Sequence, residues 1–275
     1  MITQMDLFGY ADRLPNSSRK QVWSYGGGTQ SVAIAALILQ GKIQKPDIAV
    51  IADTGMEKRS TWDYMDNVTN PALASIGIKI ERVKKTDWEN EWSKGDVNGC
   101  FAKKGDIMIP VFTDEGGNDG KLRSFCSSSW KREIVDKWLS KTHGLTQSKI
   151  EKWIGFSTDE PRRFARLISS DDVYLPLVLG YPSSRSQCVK IVEDMGWPTP
   201  PRSNCWMCPN QHDDEWLETI ANRPDEFQMA IKIERQVRKI DPHAWFHAQR
   251  VPLSEVKFGE KPARTRACDS GECFL

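Results

Sequence analysis

Three consecutive glycines, Gly26-Gly27-Gly28, constrain this chain more than any other feature of it. They follow a short β-forming run, Gln21 to Tyr25, and precede Thr29-Gln30-Ser31 and an apolar stretch, Val32 to Leu39, that has no glycine or proline. That order predicts strand, tight loop, helix, with the helix over about 30–40. Glycines permit positive φ and let the backbone approach a ligand closely. The loop amides and the N-terminus of the next helix then make a concave site for an anion, with phosphate the expected guest. A Walker-type loop would end in Gly-Lys-Ser/Thr, which is absent, and so is the spacing of a dinucleotide fingerprint.

The pattern after the loop argues for an α/β protein. Asp47 to Ala52 reads as a buried strand ending in Asp53-Thr54-Gly55, residues 58–75 as helix, and Lys79 to Val83 as an alternating strand. The β-α-β-α-β order predicts a doubly wound, Rossmann-like parallel sheet. Further on we expect a helix over about 127–141, a strand at Trp153 to Phe156, an apolar piece at 173–179, and helices near 185–195, 212–221 and 224–239. Residues 86–122, rich in glycine, aspartate and lysine, read as a long functional loop. Residues 1–18 read as a loose arm, 19–197 as a nucleotide-binding α/β domain, and 198–275, after Pro198, Pro200 and Pro201, as a mainly helical, cysteine-bearing region.

With 275 residues the chain can bury a large core, and a net charge of +1 brings no global bias toward nucleic acid or membrane. No apolar run reaches the length of a membrane span. The first residues, Met1 to Asp6, show no basic region followed by an apolar core, so a cytoplasmic, reducing setting is expected for the seven cysteines. There, metal ligands and catalytic thiols are favoured over disulfides.

Cys205-Trp206-Met207-Cys208-Pro209 is a Cys-x-x-Cys that can ligate one metal ion. Cys126 opens a helix beside Arg123, a position expected to favour thiolate. With Cys188, these thiols number four, enough for a [4Fe–4S] cluster or a zinc site; separate core thiols are the alternative. At the next strand end, Asp159-Glu160-Pro161-Arg162-Arg163 and Arg166 offer three arginines for phosphate or sulfate. Cys273, close to the C-terminal residue, reads as an accessible thiol able to carry sulfur. Cys100 has no motif around it. His243 and His247 lie four apart, but Pro242 and the aromatic Trp245-Phe246 favour a packed turn over a metal site.

The loop Ser24, Tyr25, Gly26, Gly27, Gly28, Thr29, Gln30, Ser31 resembles the PP-loop of ATP pyrophosphatases, of HUP type, and more nearly that of the PAPS-reductase-like branch. It departs from the general Ser-Gly-Gly-Lys-Asp-Ser form at Gly26, Thr29 and Gln30. Asp53, Thr54 and Gly55 resemble the Asp-Thr-Gly at the second strand end of PAPS reductases. Gly155, Glu160 and Arg163 fit a Gly-x-x-x-Asp-Glu-x-x-Arg pattern. Arg123 to Lys131 resembles the Cys-Thr-x-x-x-Lys stretch of DndC-type phosphorothioation proteins, with Ser127 in the threonine place, and Glu272-Cys273 is similar to the Glu-Cys-Gly of PAPS reductases. The resemblance implies a nucleotide site over residues 24–31, 53–55 and Gly155, catalytic roles for Cys273, Glu160 and Arg163, and a [4Fe–4S] cluster, or zinc, on Cys126, Cys188, Cys205 and Cys208. It implies ATP with Mg²⁺, used to adenylate an acceptor for sulfur insertion. The acceptor would be a DNA backbone phosphate or a tRNA base, with a cysteine desulfurase as sulfur donor; an oligomer is compatible with it. The alternatives are a PAPS or adenylyl-sulfate reductase, a tRNA thiolation enzyme, and a non-catalytic nucleotide-binding subunit of a modification or defence complex.

Overall fold

The computed structural model describes residues 13–88, 107–115 and 120–259. It divides into two compact units, one drawn from Met1–Ile51, Arg59–Val83 and Val135–Ser203, the other from Ala52–Lys58, Lys84–Ile134 and Asn204–Leu275. The change of unit between 203 and 204 lies close to the expected break near 198. The second unit also takes two earlier pieces of chain, which no composition shift marks.

The first unit holds a five-stranded, all-parallel sheet, and the α/β class read from the sequence stands. Its strands are β1 (Lys20–Ser24), β2 (Ile48–Asp53), β3 (Ile80–Lys84), β6 (Ile150–Trp153) and β7 (Val173–Tyr174), in the order β3-β2-β1-β6-β7. β1 is the central strand: Val22 pairs with Ile48 on one side and Lys152 on the other. Both strand neighbours of β1 come later in the chain, one on each side of it, and the strand order reverses between β1 and β6. In an open parallel sheet this reversal leaves a crevice at the carboxyl ends of those two strands.

The helix α1 (Thr29–Leu39) follows β1, and every residue from Ser31 to Ile38 in it is buried. A helix apolar all round must be covered all round, and α1 packs against a later helix, Arg185–Glu193, and against the sheet's core. Burial of Ile34 and Leu37, both fully enclosed, contributes about 1.5–3 kcal/mol each. After β2 the chain is helical over 59–74, as α2 (Arg59–Tyr64), a π turn (Met65–Thr69) and α3 (Asn70–Ala74). The helix α4 (Glu133–His143) leads toward β6, and α5 (Arg185–Glu193) starts at a capping box formed by Ser184 and Gln187.

Two expectations need correction. β6 is Ile150–Trp153, so only Trp153 of the expected strand belongs to it, and Ile154-Gly155-Phe156 begins the loop beyond. The displaced start has a cause in Glu151, which is fully buried in the strand, takes a 2.5 Å ion pair from Arg13 and accepts the Asn16 N–H at 2.7 Å. A buried carboxylate hides a strand from a hydrophobicity pattern. The same contacts correct the loose arm over its described part: Arg13 also donates to the Ser170 carbonyl, and Arg19 to that of Asp171, so residues 13–19 are tied to the unit.

The second unit has its own core, built on Met108, Trp130, Trp216, Ile233, Val237 and Phe246. Its helices are α6 (Asp213–Asn222) and α7 (Pro224–Ile240), each close to the expected span. A small antiparallel sheet orders β5 (Gly120–Lys121), β4 (Phe112–Thr113) and β8 (Ala244–Trp245). Strands of two residues carry no readable period, and none of the three was expected. The buried carboxylate of Glu234 accepts the N–H groups of Phe246 and Leu253 at 3.0 and 2.6 Å, which fixes the chain on both sides of 250. The expected packed turn at His243–His247 is found: His243 bonds Asp114, and His247, 7% exposed, bonds Asp213. Among the described residues no helix is long and apolar enough to cross a membrane.

Candidate functional site

The glycine corner forms where the sequence places it, between the end of β1 and α1. Tyr25 donates its N–H to the Val50 carbonyl at 2.8 Å, the last rung before the turn. Gly27 then takes φ +73°, a conformation that L side chains rarely adopt. Gly26 donates its N–H to Ser31 Oγ at 2.8 Å, which closes the loop on itself. Gly28 is extended and caps α1 without any side-chain bond. The first backbone bond of the helix runs from Val32 N–H to the Gly28 carbonyl at 3.0 Å.

The N–H groups of Gly27, Gly28, Thr29, Gln30 and Ser31 accordingly have no hydrogen-bond acceptor among the described residues. The Thr29 hydroxyl has none there either, although Thr29 is only 5% exposed. Five successive donors at a helix N-terminus, with about half a positive charge from the helix dipole, form a receptacle for an anion.

The loop after β6 provides the second wall of the crevice, and Glu160 organises it. Its Oε2 accepts the Ser157 N–H at 3.0 Å, the Ser157 hydroxyl at 2.8 Å and the Gln30 side-chain amide at 3.1 Å. Its other oxygen pairs with Arg163, whose guanidinium lies 4.5 Å from the Phe156 ring centroid. Three of these donors converge on Oε2 and one holds Oε1. In this arrangement Glu160 is a latch between the two loops, with Gln30 as the cross-link. Of the three arginines only Arg163 is drawn in; Arg162 and Arg166 are exposed, and Asp159 accepts the Arg185 N–H at the start of α5. Gly155 is explained by packing: a Cβ there would meet Ile34 Cδ1 at 3.2 Å and Gln30 Cβ at 3.5 Å.

Ser24 ends β1 with an exposed side chain, while Tyr25 is buried and bonds Thr69 at 3.1 Å. Burial raises the Tyr25 phenol well above its ordinary range, so it serves as a neutral core residue. Asp53, Thr54 and Gly55 fall to the second unit. Asp53 Oδ1 accepts the Gly55 N–H at 2.8 Å, and Gly55 has φ +74° with open space around its Cα. The aspartate thus shapes its own turn.

Three of the four candidate ligands lie in the second unit. Cys126 and Cys205 both pack beside its apolar core and feel the charge of Lys131, and Cys205 also feels Cys126. Cys205 pairs with Glu57 in an isolated β-bridge, and the Cys208 N–H donates to its carbonyl at 3.0 Å. Burial pushes the Cys205 thiol up to about 12, against the pull of Lys131. Burial likewise raises the Cys126 thiol, outweighing Lys131 and the nearby amides. Burial thus works against the thiolate expected at Cys126 from its helix start.

Cys188 sits in the first unit's core, fully enclosed on α5, with its thiol pushed up to about 12 by burial and then by Asp159 and Glu160. No three histidine, cysteine, aspartate or glutamate side chains among the described residues are placed to hold a metal ion. Cys273, with Cys100 and Cys268, lies outside the described residues.

Sequence reasoning missed Ser157, a donor to Glu160, and two residues against the glycine corner, Thr61 and Ser203. Only the triple glycine itself signals that something packs there. No protein-family model matches the chain, and no curated protein matches it.

Proposed function

We propose that this chain is a PP-loop-type nucleotide-binding enzyme that uses ATP to adenylate an acceptor, making it receptive to sulfur. One observation carries the reading. The five unpaired amides of residues 27–31 sit at the carboxyl end of the central strand, beside the reversal of strand order, where parallel sheets hold phosphate-bearing ligands. The resemblance of the loop to PP-loops supplies the chemistry. Phosphate oxygens would accept from these amides and from the Thr29 hydroxyl. Mg²⁺ would neutralise the phosphates that the loop, having no lysine, does not. The acceptor oxygen attacks the α-phosphorus, the bond to the β-phosphate oxygen breaks, and pyrophosphate leaves. A persulfide sulfur from a donor such as a cysteine desulfurase then bonds to the activated centre, and AMP departs with the oxygen. A second thiol cleaves the remaining S–S bond, leaving sulfur on the acceptor and a disulfide on the donor side. A DNA backbone phosphate and a tRNA base are both acceptors of this chemistry. This route needs no metal at the cysteines; a [4Fe–4S] cluster, or zinc, on Cys126, Cys188, Cys205 and Cys208 is a separate proposal beside it.

Thr29 in the place of the lysine favours a second reading, a sulfonucleotide reductase, because a 5′ phosphosulfate group brings less charge to the loop than a triphosphate chain does. Purified protein incubated separately with ATP and with PAPS separates the two. Pyrophosphate from ATP, dependent on acceptor and Mg²⁺, supports adenylation. Sulfite from PAPS in the presence of a thiol, with no pyrophosphate from ATP, overturns it in favour of the reductase. Tight binding of nucleotide with neither product marks a non-catalytic subunit.

A further inference from the structure

Two hydroxyl side chains from distant parts of the first unit press on the glycine corner. Thr61, on α2, is fully buried, and its Cγ2 would lie 2.4 Å from a Cβ built on Gly27. Ser203 lies 3.6 Å (Oγ) and 3.7 Å (Cβ) from that same point, and its Cβ and backbone N are 3.5 and 3.6 Å from a Cβ built on Gly28. These contacts occupy the side on which residues 27 and 28 would carry side chains. At Gly27 the positive φ turns the N–H away from the Cβ direction, so the side filled by Thr61 is not the side that this amide faces.

We propose that Thr61 and Ser203 are positioning residues: they fill the side-chain face of Gly27 and Gly28 and so hold the amide face in the shape that receives a nucleotide phosphate. The inference rests on the nucleotide reading above. It also gives the glycines a second cause, since Gly27 is required by what lies behind the loop as much as by a ligand in front of it. Ordering a free loop residue costs about 1–2 kcal/mol of conformational entropy. A loop already packed from behind avoids that cost on binding, which is the usual source of affinity in a preorganised site. Loss of either buttress should weaken nucleotide binding by about tenfold, the equivalent of ordering one residue.

The contact atoms make the claim separable from a hydroxyl effect. Thr61→Ser removes Cγ2 and keeps the hydroxyl; Thr61→Val does the reverse. Ser203→Gly removes the Cβ; Ser203→Ala keeps it. Affinities for Mg-ATP and for PAPS by calorimetry, and order parameters of the Gly27 and Gly28 amides in ligand-free protein by NMR, read the two consequences. Thr61→Ser and Ser203→Gly are expected to weaken binding about tenfold and to lower the order parameters. Thr61→Val and Ser203→Ala, which restore the packing atoms, should hold affinity within about threefold of wild type. Equal damage from Thr61→Val and Thr61→Ser would overturn the inference, and Ser203 provides the same contrast if a Thr61 variant fails to fold. A wild-type protein that binds neither nucleotide ends the nucleotide reading alone. The order parameters then decide the buttress, and identical values in all four variants reject it.

Discussion

Gly27 and Gly28 are adjacent and chemically identical, yet their surroundings assign them different costs of substitution. A methyl on Gly27 would face both a positive φ and Thr61 Cγ2 at 2.4 Å, whereas one on Gly28 would meet Ser203 at an ordinary 3.5 Å. Gly27→Ala is therefore expected to destabilise the protein by about 2–4 kcal/mol, and Gly28→Ala by less than about 1 kcal/mol. Urea unfolding of the two variants measures the contrast, and equal losses would mean the corner is not packed as described. Cys188 carries a prediction of a different kind. Enclosed among the apolar side chains of the first unit, it acts as a small core residue. Cys188→Ser should cost about 1–3 kcal/mol through an unpaired buried hydroxyl and leave iron and zinc content of anaerobically purified protein unchanged. Metal lost in proportion would return Cys188 to a ligand set. Residue type and Cys-x-x-Cys spacing, which grouped the four cysteines, are visible in a sequence, while the neighbours that desolvate each thiol are not.

At the scale of elements, what was legible is what a local pattern encodes. β1, the glycine loop, α1 and β2 were readable because buried strands, glycines and an unbroken apolar helix announce themselves over ten residues or so. β6 was read three residues late because Glu151 is buried against Arg13, and a charge inside a strand contradicts the rule used to find it. The latch of Gln30, Ser157 and Glu160 joins residues 127 to 130 positions apart, a separation at which one sequence carries no signal; Arg163 was flagged among three arginines at a strand end, and Glu160 and Arg163 again through a pattern that resembles a family's. The segment after α7 shows how one side chain can organise an element. Glu234 accepts two backbone N–H groups, and burial raises its carboxyl above the usual range, with the amides and the Arg238 and Arg235 charges pulling back. A carboxyl whose folded pKa lies above the unfolded one gives a stabilising contribution that is complete below the unfolded pKa and is lost as pH rises through the folded pKa. Glu234→Gln has no charge to desolvate. The stability of wild type relative to Glu234→Gln should thus fall as pH rises from about 4 to about 7. Chemical denaturation at several pH values across that window checks the sign, and a rising difference would refute the burial argument. Glu234→Ala, which leaves both amides without their acceptor, should cost about 2–4 kcal/mol at any of these pH values.

For the whole molecule, the division into two units makes the location of binding testable without knowing the reaction. All residues of the glycine corner, its two buttresses, and the Glu160 latch belong to the first unit, while α6, α7 and the small antiparallel sheet belong to the second. A ligand that binds only the native state stabilises what it touches, by about 2.7 kcal/mol at a hundredfold excess over its Kd. Hydrogen exchange resolves that gain along the chain, because amides report the opening of their own cooperative unit. With Mg-ATP present, slowed exchange is expected over residues 26–32 and 155–163. The amides of 27–31 should respond most, since they have no acceptor in the described protein and gain one from phosphate. Residues 213–240 should change far less. Strong protection of that helical pair with none at the glycine corner would place the nucleotide in the other unit. It would also detach the loop resemblance from the function, since the same five donors would then remain open with the ligand bound. A phosphate-binding corner cannot leave its own amides unprotected, so this outcome decides the reading on which the chemistry depends.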